Sequence, residues 1–497
     1  MNSPSLNPSS LKHTLRPLAV AVLALSLGAC TLGPNYQRPD LTVASEFKQA
    51  EGWKQAAPAD VLQRGEWWRL YGDAELDALV ARLNVSNQNI AAAEAQFRQA
   101  RALVRGARSQ LFPVLSGSAG VSRSAQGSGS TNSTGTAFNG GVGESYEAGL
   151  SASWQADVWG RLRRNLEANR ATMQASAADL AAARLSLQAE LVQTYLQLRV
   201  IDEHQRLLDQ TVEAYARSLR LTENQYRAGI VPRSDVSQAQ TQLKSTQAQA
   251  IDLRWQRAQM EHAIAVLVGV APSELGIAAR DDIPPLPAVP LAVPSQLLER
   301  RPDIASAERQ VIAANANIGV AEAAWYPDLT LSASGGYRNS SFSDLFSVPN
   351  RFWSLGPQLA LTLLDFGGRR AELERVEASY DQTVANYRQT VLNSFREVED
   401  YLVQLRVLEE EAVVQREALE AAQESLRLIE NQYRAGTVDF LSVVTVQTTA
   451  LNNQRTNLTL LGNRLTASVL LIAALGGGWD SVQLEQQPTL SATPTAP

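Results

Sequence analysis

Residues 161–226 contain neither proline nor glycine, and residues 369–433 repeat that condition. A breaker-free stretch of this kind reads as one uninterrupted helix. At ~1.5 Å per residue, ~65 residues make ~98 Å of rod, several times the ~11-residue helix of an ordinary globular domain. In the first rod Leu187, Ile201, Leu208 and Tyr215 share one heptad position. Leu191, Leu198, Val212, Leu219 and Tyr226 share another, with Thr194 and Gln205 interrupting a seam of coiled-coil type.

The rods are copies. Asn224-Gln-Tyr-Arg-Ala-Gly229 returns unchanged as Asn431-Gln-Tyr-Arg-Ala-Gly436. Asp157-Val-Trp-Gly-Arg161 recurs as Asp365-Phe-Gly-Gly-Arg369, Gln197-Leu-Arg-Val200 as Gln404-Leu-Arg-Val407, and Phe112-Pro113 as Tyr326-Pro327. Matches in one order, about two hundred residues apart, mark a duplicated half rather than a solenoid, whose periods run about 20–50 residues. Gly229 and Gly436 stand where a helix end favours a left-handed residue. Each rod is therefore expected to turn back there into a returning helix of about half its length. Helices at about 73–110 and 302–324 would cover the rest, giving a four-element helical unit in each half.

Four segments have another period. Tyr146, Ala148, Leu150, Ala152, Trp154 and Ala156 alternate with Ser145, Glu147, Gly149, Ser151, Ser153 and Gln155, and residues 352–362 alternate likewise. Residues 115–123 and 329–338 read as their antiparallel partners. Runs of ~10 residues with one apolar and one small or polar face suit tilted membrane strands around a wet lumen. A half-solvated hairpin of a soluble protein shares the pattern. Four strands cannot close a barrel, and open edges in lipid cost several kcal/mol per unsatisfied group. Copies must then share one barrel. A trimer gives twelve strands and a dimer a narrow eight, and the pattern alone leaves the dimer open.

The expected order is a leader over 1–29, a lipidated N-terminal segment over 30–72, and a first repeat over 73–282. That repeat carries a β-hairpin at 113–157, a long helix at 161–226 and a return helix at 234–268. A Pro-rich linker at 283–298 precedes the second repeat, 299–478, with a hairpin at 328–364, a long helix at 369–433 and a return helix at 441–475. Residues 479–497 form the tail. In the leader, Lys12, His13 and Arg16 precede an apolar run from Leu18 to Leu27 that is too short to span a membrane. It ends in Leu27-Gly28-Ala29-Cys30, which looks like a bacterial lipobox, so Cys30 is the expected lipidation site. Later segments contain no apolar run long enough to cross a membrane as a helix.

Composition narrows the chemistry. With 44 Lys+Arg against 50 Asp+Glu, the chain has no electrostatic footprint for nucleic acid. Three histidines and one cysteine leave no expected metal site, cofactor or catalytic constellation. His204 and His262 read as surface or packing residues, Glu409, Glu410 and Glu411 as a solvated face, and Gly476–Gly478 as a helix stop.

The motifs resemble the outer membrane factors, the TolC/OprM-type exit ducts of tripartite efflux pumps, most of all the lipidated OprM-like branch. The matching stretches are Gly33-Pro-Asn-Tyr-Gln-Arg-Pro39, Trp67-Trp68, Asp157-Val-Trp-Gly-Arg161, Leu298-Glu-Arg-Arg-Pro-Asp-Ile304, Ala313-Ala-Asn-Ala-Asn-Ile-Gly319, Ala323-Ala-Trp-Tyr-Pro327 and Ala474-Leu-Gly-Gly-Gly-Trp479. The resemblance implies an α+β membrane protein. Its fold would be a homotrimeric 12-strand outer membrane β-barrel, four strands per chain, continuing into a long periplasmic α-helical barrel. It also implies passive export with a periplasmic adaptor and an inner membrane RND-type pump as partners. Thr31 after the Cys is compatible with outer membrane sorting.

The resemblance further implies adaptor-docking tips at Tyr226, Arg227, Gly229, Tyr433, Arg434 and Gly436. It places a periplasmic gate around Asp235, Asp439, Leu441, Ser442 and Thr445. Relatives carry Asp at one or both of the positions held here by Ser442 and Thr445, so an acidic ring is not expected there. Asp235 and Leu441 match acidic and apolar gate positions. Asp235 and Asp439 also suit the positive end of a helix dipole. The competing readings are an exit duct for type I secretion and a non-transporting periplasmic coiled-coil lipoprotein scaffold.

Overall fold

The computed structural model describes residues 31–40, 47–48, 65–125, 142–287 and 300–479. Cys30, the leader, most of the linker, the first inter-strand loop and the tail lie outside the described residues. Seven helices are described: α1 (Ala74–Ser86), α2 (Gln88–Ser109), α3 (Arg161–Arg227), α4 (Arg233–Leu267), α5 (Pro302–Ala323), α6 (Gly368–Arg434) and α7 (Phe440–Ala474). Four strands complete the set: β1 (Val114–Ala125), β2 (Val142–Ala156), β3 (Asp328–Asn339) and β4 (Arg351–Ala360). Both long helices, α3 and α6, have 67 residues, and both return helices, α4 and α7, have 35.

The chain separates into two compact units that cut across the repeats. One comprises Met1–Pro39, Arg98–Gln174 and Glu308–Asn386, and the other Asp40–Phe97, Ala175–Ala307 and Tyr387–Pro497. The first unit holds a single antiparallel sheet in the order β1-β2-β3-β4. Its middle pairing, Trp154 opposite Leu331 and Ala152 opposite Ala333, joins the hairpin of one repeat to that of the other. Among the described residues β1 and β4 each pair on one side only.

The second unit is helical, with a core of Leu76, Leu83, Leu191, Leu198, Leu465 and Leu471, all fully buried. The helix expected over 73–110 is two helices, broken at Asn87. Asn87 adopts an extended backbone, closes α1 by donating its amide to Leu83, and caps α2 by accepting from the amides of Asn89 and Ile90. Asn is a strong N-cap residue, and it interrupts the helix where no proline or glycine marks the place. Its side-chain nitrogen also donates to the Leu267 carbonyl at the end of α4, 2.7 Å away. In the second repeat Arg301 does the same for the Ala474 carbonyl at the end of α7. These joints are tight. A Cβ on Gly269 would sit 2.2 Å from the Ser86 carbonyl oxygen, and one on Gly476 2.2 Å from that of Arg300. Both glycines have positive φ, 74° and 96°.

One described helix, α7, is long and apolar enough to cross a membrane by hydropathy. The sequence offers no continuous apolar run there because Asn452, Asn453, Arg455 and Asn457 interrupt it. Much of its apolar surface, including Leu465, Val469, Leu471 and Ile472, lies inside the core.

A buried ionic cluster ties α1 and α3 to the chain that follows α4. Arg199, fully buried, donates to Asp202 at 3.0 Å, to the Ala278 carbonyl at 2.8 Å and to Glu75. Arg257 bonds the other oxygen of Asp202 and the Ile277 carbonyl. Asp73 caps α1 through the amides of Glu75 and Leu76 and accepts from the Tyr195 hydroxyl at 2.8 Å. Burial opposes ionisation of Asp73, but these donors and the Arg280 charge outweigh it and hold the carboxyl below its ordinary value. Replacing Asp73 by Ala removes a cap and the shortest acceptor of the Tyr195 hydroxyl, a loss of about 2 kcal/mol. The stabilising effect is present above the ordinary carboxylate pKa and disappears as pH falls through the depressed one. Thermal unfolding of the detergent-solubilised protein is expected to show the wild-type advantage over Asp73→Ala at neutral pH and its shrinkage in acid.

Candidate functional site

The register places most large apolar residues of the sheet on one face, with Val114 and Phe352 turned to the other. Leu115, Leu150, Leu331 and Leu355 belong to the first, with Val121, Trp154, Trp353 and Leu359. Most of these side chains are exposed. An exposed apolar face of this extent marks a surface that meets something other than water. Apart from Val114 and Phe352, the opposite face is small and polar. Ser116, Ser151, Ser334 and Ser354 line up in one row across all four strands, the last two joined at 2.9 Å between hydroxyls. Glu147 and Arg338 pair on the same face.

Aromatic rings gather at both ends of the sheet. At one end Trp159 stacks on Tyr326 with centroids 4.8 Å apart and donates to the Pro327 carbonyl. Arg369 lies 4.8 Å over the neighbouring Trp325 ring. At the other end Tyr146 meets Phe342 and Tyr337 meets Phe346. From Tyr146 to Trp154 the strand advances ~27 Å at ~3.4 Å per residue. Paired aromatic girdles around an apolar band ~25 Å tall are the pattern of an outer membrane barrel wall.

The repeated Asp157 and Asp365 motifs turn strands into helices. Asp157 accepts from the amides of Leu162 and Arg163 at the start of α3, and Asp365 from the amide and guanidinium of Arg369 in α6. The segment after Cys30 is strapped against the first turn. Thr31 touches the site where a Cβ on Gly160 would lie, and the Leu32 amide donates to the Trp159 carbonyl. Arg164, buried, donates to the carbonyls of Leu32 and Gly33 and to the Asn35 side chain. Arg38 and Tyr36 both reach Glu308, and Asn315 reaches the Pro34 carbonyl. Gly33 and Gly319 approach so closely that a Cβ on Gly33 would lie 2.4 Å from the Gly319 Cα.

In the second unit the twin Tyr-Arg-Ala-Gly turns have one geometry. Gly229 has φ 74° and donates to Tyr226, with Ile230 donating to Gln225. Gly436 has φ 73° and donates to Tyr433, with Thr437 donating to Gln432. This pair of hydrogen bonds around a left-handed glycine makes a Schellman turn. Arg227 and Arg434 are exposed and bonded to Asn224 and Asn431. The tyrosines differ. Tyr433 is buried with Phe440, Val443 and Ala239, and its hydroxyl donates to Gln225 at 2.7 Å. Tyr226, expected on the coiled-coil seam, is 43% exposed.

The five residues expected at the gate fall around this cluster. Asp439 caps α7, accepting from the amide and hydroxyl of Ser442, which keep its carboxyl below the ordinary value. Thr445 bonds back to the Leu441 carbonyl, and the Leu441 side chain is 57% exposed. Asp235 lies in the first turn of α4, where Ser234 donates to it. Burial pushes the Tyr433 phenol up, and the Asp235 charge adds to the shift against the Thr222 hydrogen bond. His204 is half-buried, and burial with the Arg455 charge lowers its pKa. His262 and Glu409–Glu411 are exposed. No grouping of His, Cys, Asp and Glu among the described residues would hold a metal ion.

A wall apolar on one face, polar on the other and girdled by aromatic rings is that of an outer membrane channel. The chain belongs to the outer membrane efflux protein family, whose sequence profile matches residues 79–270 and 293–477. It is 33% identical over 471 residues to the pyoverdine export outer membrane protein OpmQ of Pseudomonas aeruginosa, covering 94% of this chain and 98% of that one. It is 32% identical over 472 residues to the probable efflux pump outer membrane protein TtgC of Pseudomonas putida, covering 93% and 95%. The solved outer-membrane channel OprN superposes with a TM-score of 0.84 at 31% identity, over 90% of this chain and all of that one. The fold is the α+β architecture of these channels, the location is the outer membrane, and the function is that of an efflux exit channel.

The strap gives a direct test. A methyl group on Gly319 would meet the Leu32 carbonyl oxygen at 2.6 Å, an overpacking worth about 1–3 kcal/mol. Gly319→Ala is expected to loosen residues 31–38 and accelerate chymotrypsin cleavage after Tyr36, measured by mass spectrometry of the released N-terminal peptide.

Proposed function

We propose that three copies of this chain close one twelve-strand barrel in the outer membrane and continue it into the periplasm as a helical barrel. This homotrimer is the exit duct of a tripartite pump, joined to a periplasmic adaptor and an inner membrane RND-type pump. The carrying observation is the four-strand sheet with one apolar face and two open edges. Its strands alternate in direction, so β4 of one copy meets β1 of the next antiparallel, and repeating that contact closes a ring. The exposed apolar face argues against a soluble scaffold.

Cys30 is the lipid anchor. Thr31 beside Gly160 and Leu32 on Trp159 support this, because the residues that follow Cys30 lie at an aromatic girdle, where acyl chains can enter a leaflet. Tyr226, Arg227, Gly229, Tyr433, Arg434 and Gly436 form the turns offered to the adaptor. Asp235 and Leu441 form the constriction, with Asp439, Ser442 and Thr445 bracing the α7 start. A lumen face of serine and glycine makes few demands on cargo, so substrate choice falls to the pump.

The detergent-extracted protein is expected to have the native mass of three lipidated chains beginning at Cys30, and deletion of its gene should raise intracellular drug accumulation. A salt-extractable monomer would refute the duct. Asp235→Ala and Leu441→Ala are each expected to raise single-channel conductance roughly two-fold or more by removing axial charge or bulk. Unchanged conductance in both would move the constriction elsewhere. Cys30→Ala should abolish labelling by radioactive palmitate and reduce recovery in the outer membrane fraction.

A further inference from the structure

One end of the sheet leads into α3 and α6 and carries the residues that follow Cys30. In the outer membrane the other end therefore meets the outer leaflet. There residues 340–350, which join β3 to β4, fold against the apolar face of the sheet. Phe342 packs on Tyr146 with ring centroids 5.7 Å apart, and Phe346 on Tyr337 at 5.6 Å. Both tyrosines stand on the face that carries Leu150, Leu331 and Trp353. The Asn350 side chain fixes the bend, donating to the Asp344 carbonyl at 2.7 Å and to the Ser347 hydroxyl at 2.9 Å. Phe342, Phe346 and Val348 are left 67%, 65% and 74% exposed. Tyr146 and Tyr337 belong to the inner strands β2 and β3. Another copy pairing at β1 or β4 thus lies beside this patch, not over it.

The same rim carries a charge. Arg351 opens β4 directly opposite Tyr337, hence on the same apolar face. Arg123 pairs with Glu144 and Arg338 with Glu147, whereas the exposed Arg351 pairs with no carboxylate among the described residues. It stands ~7 Å along the strand beyond Trp353. A guanidinium at the edge of a hydrocarbon band extends into the headgroup layer, and its planar fork suits two phosphate oxygens at once.

We propose that this rim binds a phosphorylated glycolipid of the outer leaflet. Arg351 takes a headgroup phosphate, and Phe342, Phe346 and Val348 take the upper segments of its acyl chains. Three uncovered apolar side chains beside an unpaired charge suit an amphiphile rather than bulk water. Tyr146, Tyr337 and Arg351 stand on three successive strands, so the patch is ~10 Å across, wider than a single acyl chain. A free phosphate would use the arginine alone. The site rests on the reading of the sheet as a barrel wall and adds the lipid class that the wall selects.

The test titrates the full-length lipidated trimer in detergent with bisphosphorylated lipid A, phosphatidylglycerol or inorganic phosphate, and reads bound mass by native mass spectrometry. Lipid A is expected to bind more tightly than phosphatidylglycerol, and phosphate alone not to compete with it. Arg351→Gln should weaken lipid A binding about ten-fold, the loss of one charge-assisted contact. Phe342→Ser with Phe346→Ser should weaken lipid A and leave phosphatidylglycerol unchanged, so misfolding of one variant leaves the other. Arg123→Gln, whose charge Glu144 already meets, should bind lipid A as the wild type does. Equal weakening by Arg123→Gln would reduce the effect to net charge and overturn the site. Equal affinity for phosphatidylglycerol, or capture of phosphate alone, would overturn it too. A native trimer that holds lipid A unchanged in both rim variants overturns the site and leaves the duct standing. A wild-type protein that stays soluble without detergent overturns the barrel wall itself.

Discussion

Among the described residues the outer edges of β1 and β4 have no strand beside them, and that constraint governs this molecule. Inside a bilayer no water can satisfy the amides and carbonyls of those edges, and each one left open costs several kcal/mol. The sheet cannot be shortened to avoid lipid, because aromatic girdles fix its ends and large apolar side chains cover one face. It cannot curl upon itself, because four strands are too few to enclose a packed interior. The remaining solution is pairing with another copy. The long helices can then be long because the ring, rather than a globular core, provides their second neighbours.

Much of this was legible in the chain. Breaker-free stretches specify helices through the absence of proline and glycine, and alternation specifies strand faces through the two-residue pleat. The break at Asn87 was hidden because an N-cap asparagine resembles any helix-surface amide until its partners are known. The buried Arg199 left a trace, since its tetrapeptide Gln197-Leu-Arg-Val200 recurs as Gln404-Leu-Arg-Val407. Nothing in that repetition reveals that one arginine is fully buried among Glu75, Asp202 and Tyr195. Long-range partners across a hundred residues have no local pattern.

The stretches that carry the family resemblance prove to be mechanical parts. Gly33 and Gly319 are the two sides of one close approach, and Arg301 and Gly476 belong to one joint between helices. The identical turns are where sequence and structure diverge most. Six unchanged residues give one backbone geometry, yet Tyr433 is enclosed and Tyr226 is open. Identity of the motif fixes the bend, while the neighbours fix the environment. Asp439 illustrates the same separation, since its first duty is to cap α7 through Ser442.

The glycine joints at Gly269 and Gly476 set a rule for length. Because a carbonyl oxygen occupies the space of the missing Cβ, neither return helix can slide past the helix it abuts. An inserted residue would advance a helix by ~1.5 Å and rotate its face by ~100°, driving the glycine into Ser86 or Arg300. The return helix and the helix it abuts therefore have a fixed combined length, ruled off against the long helix beside them. Descendants of this gene can change nearly every exposed residue of these helices, but they gain or lose residues only in whole compensated sets.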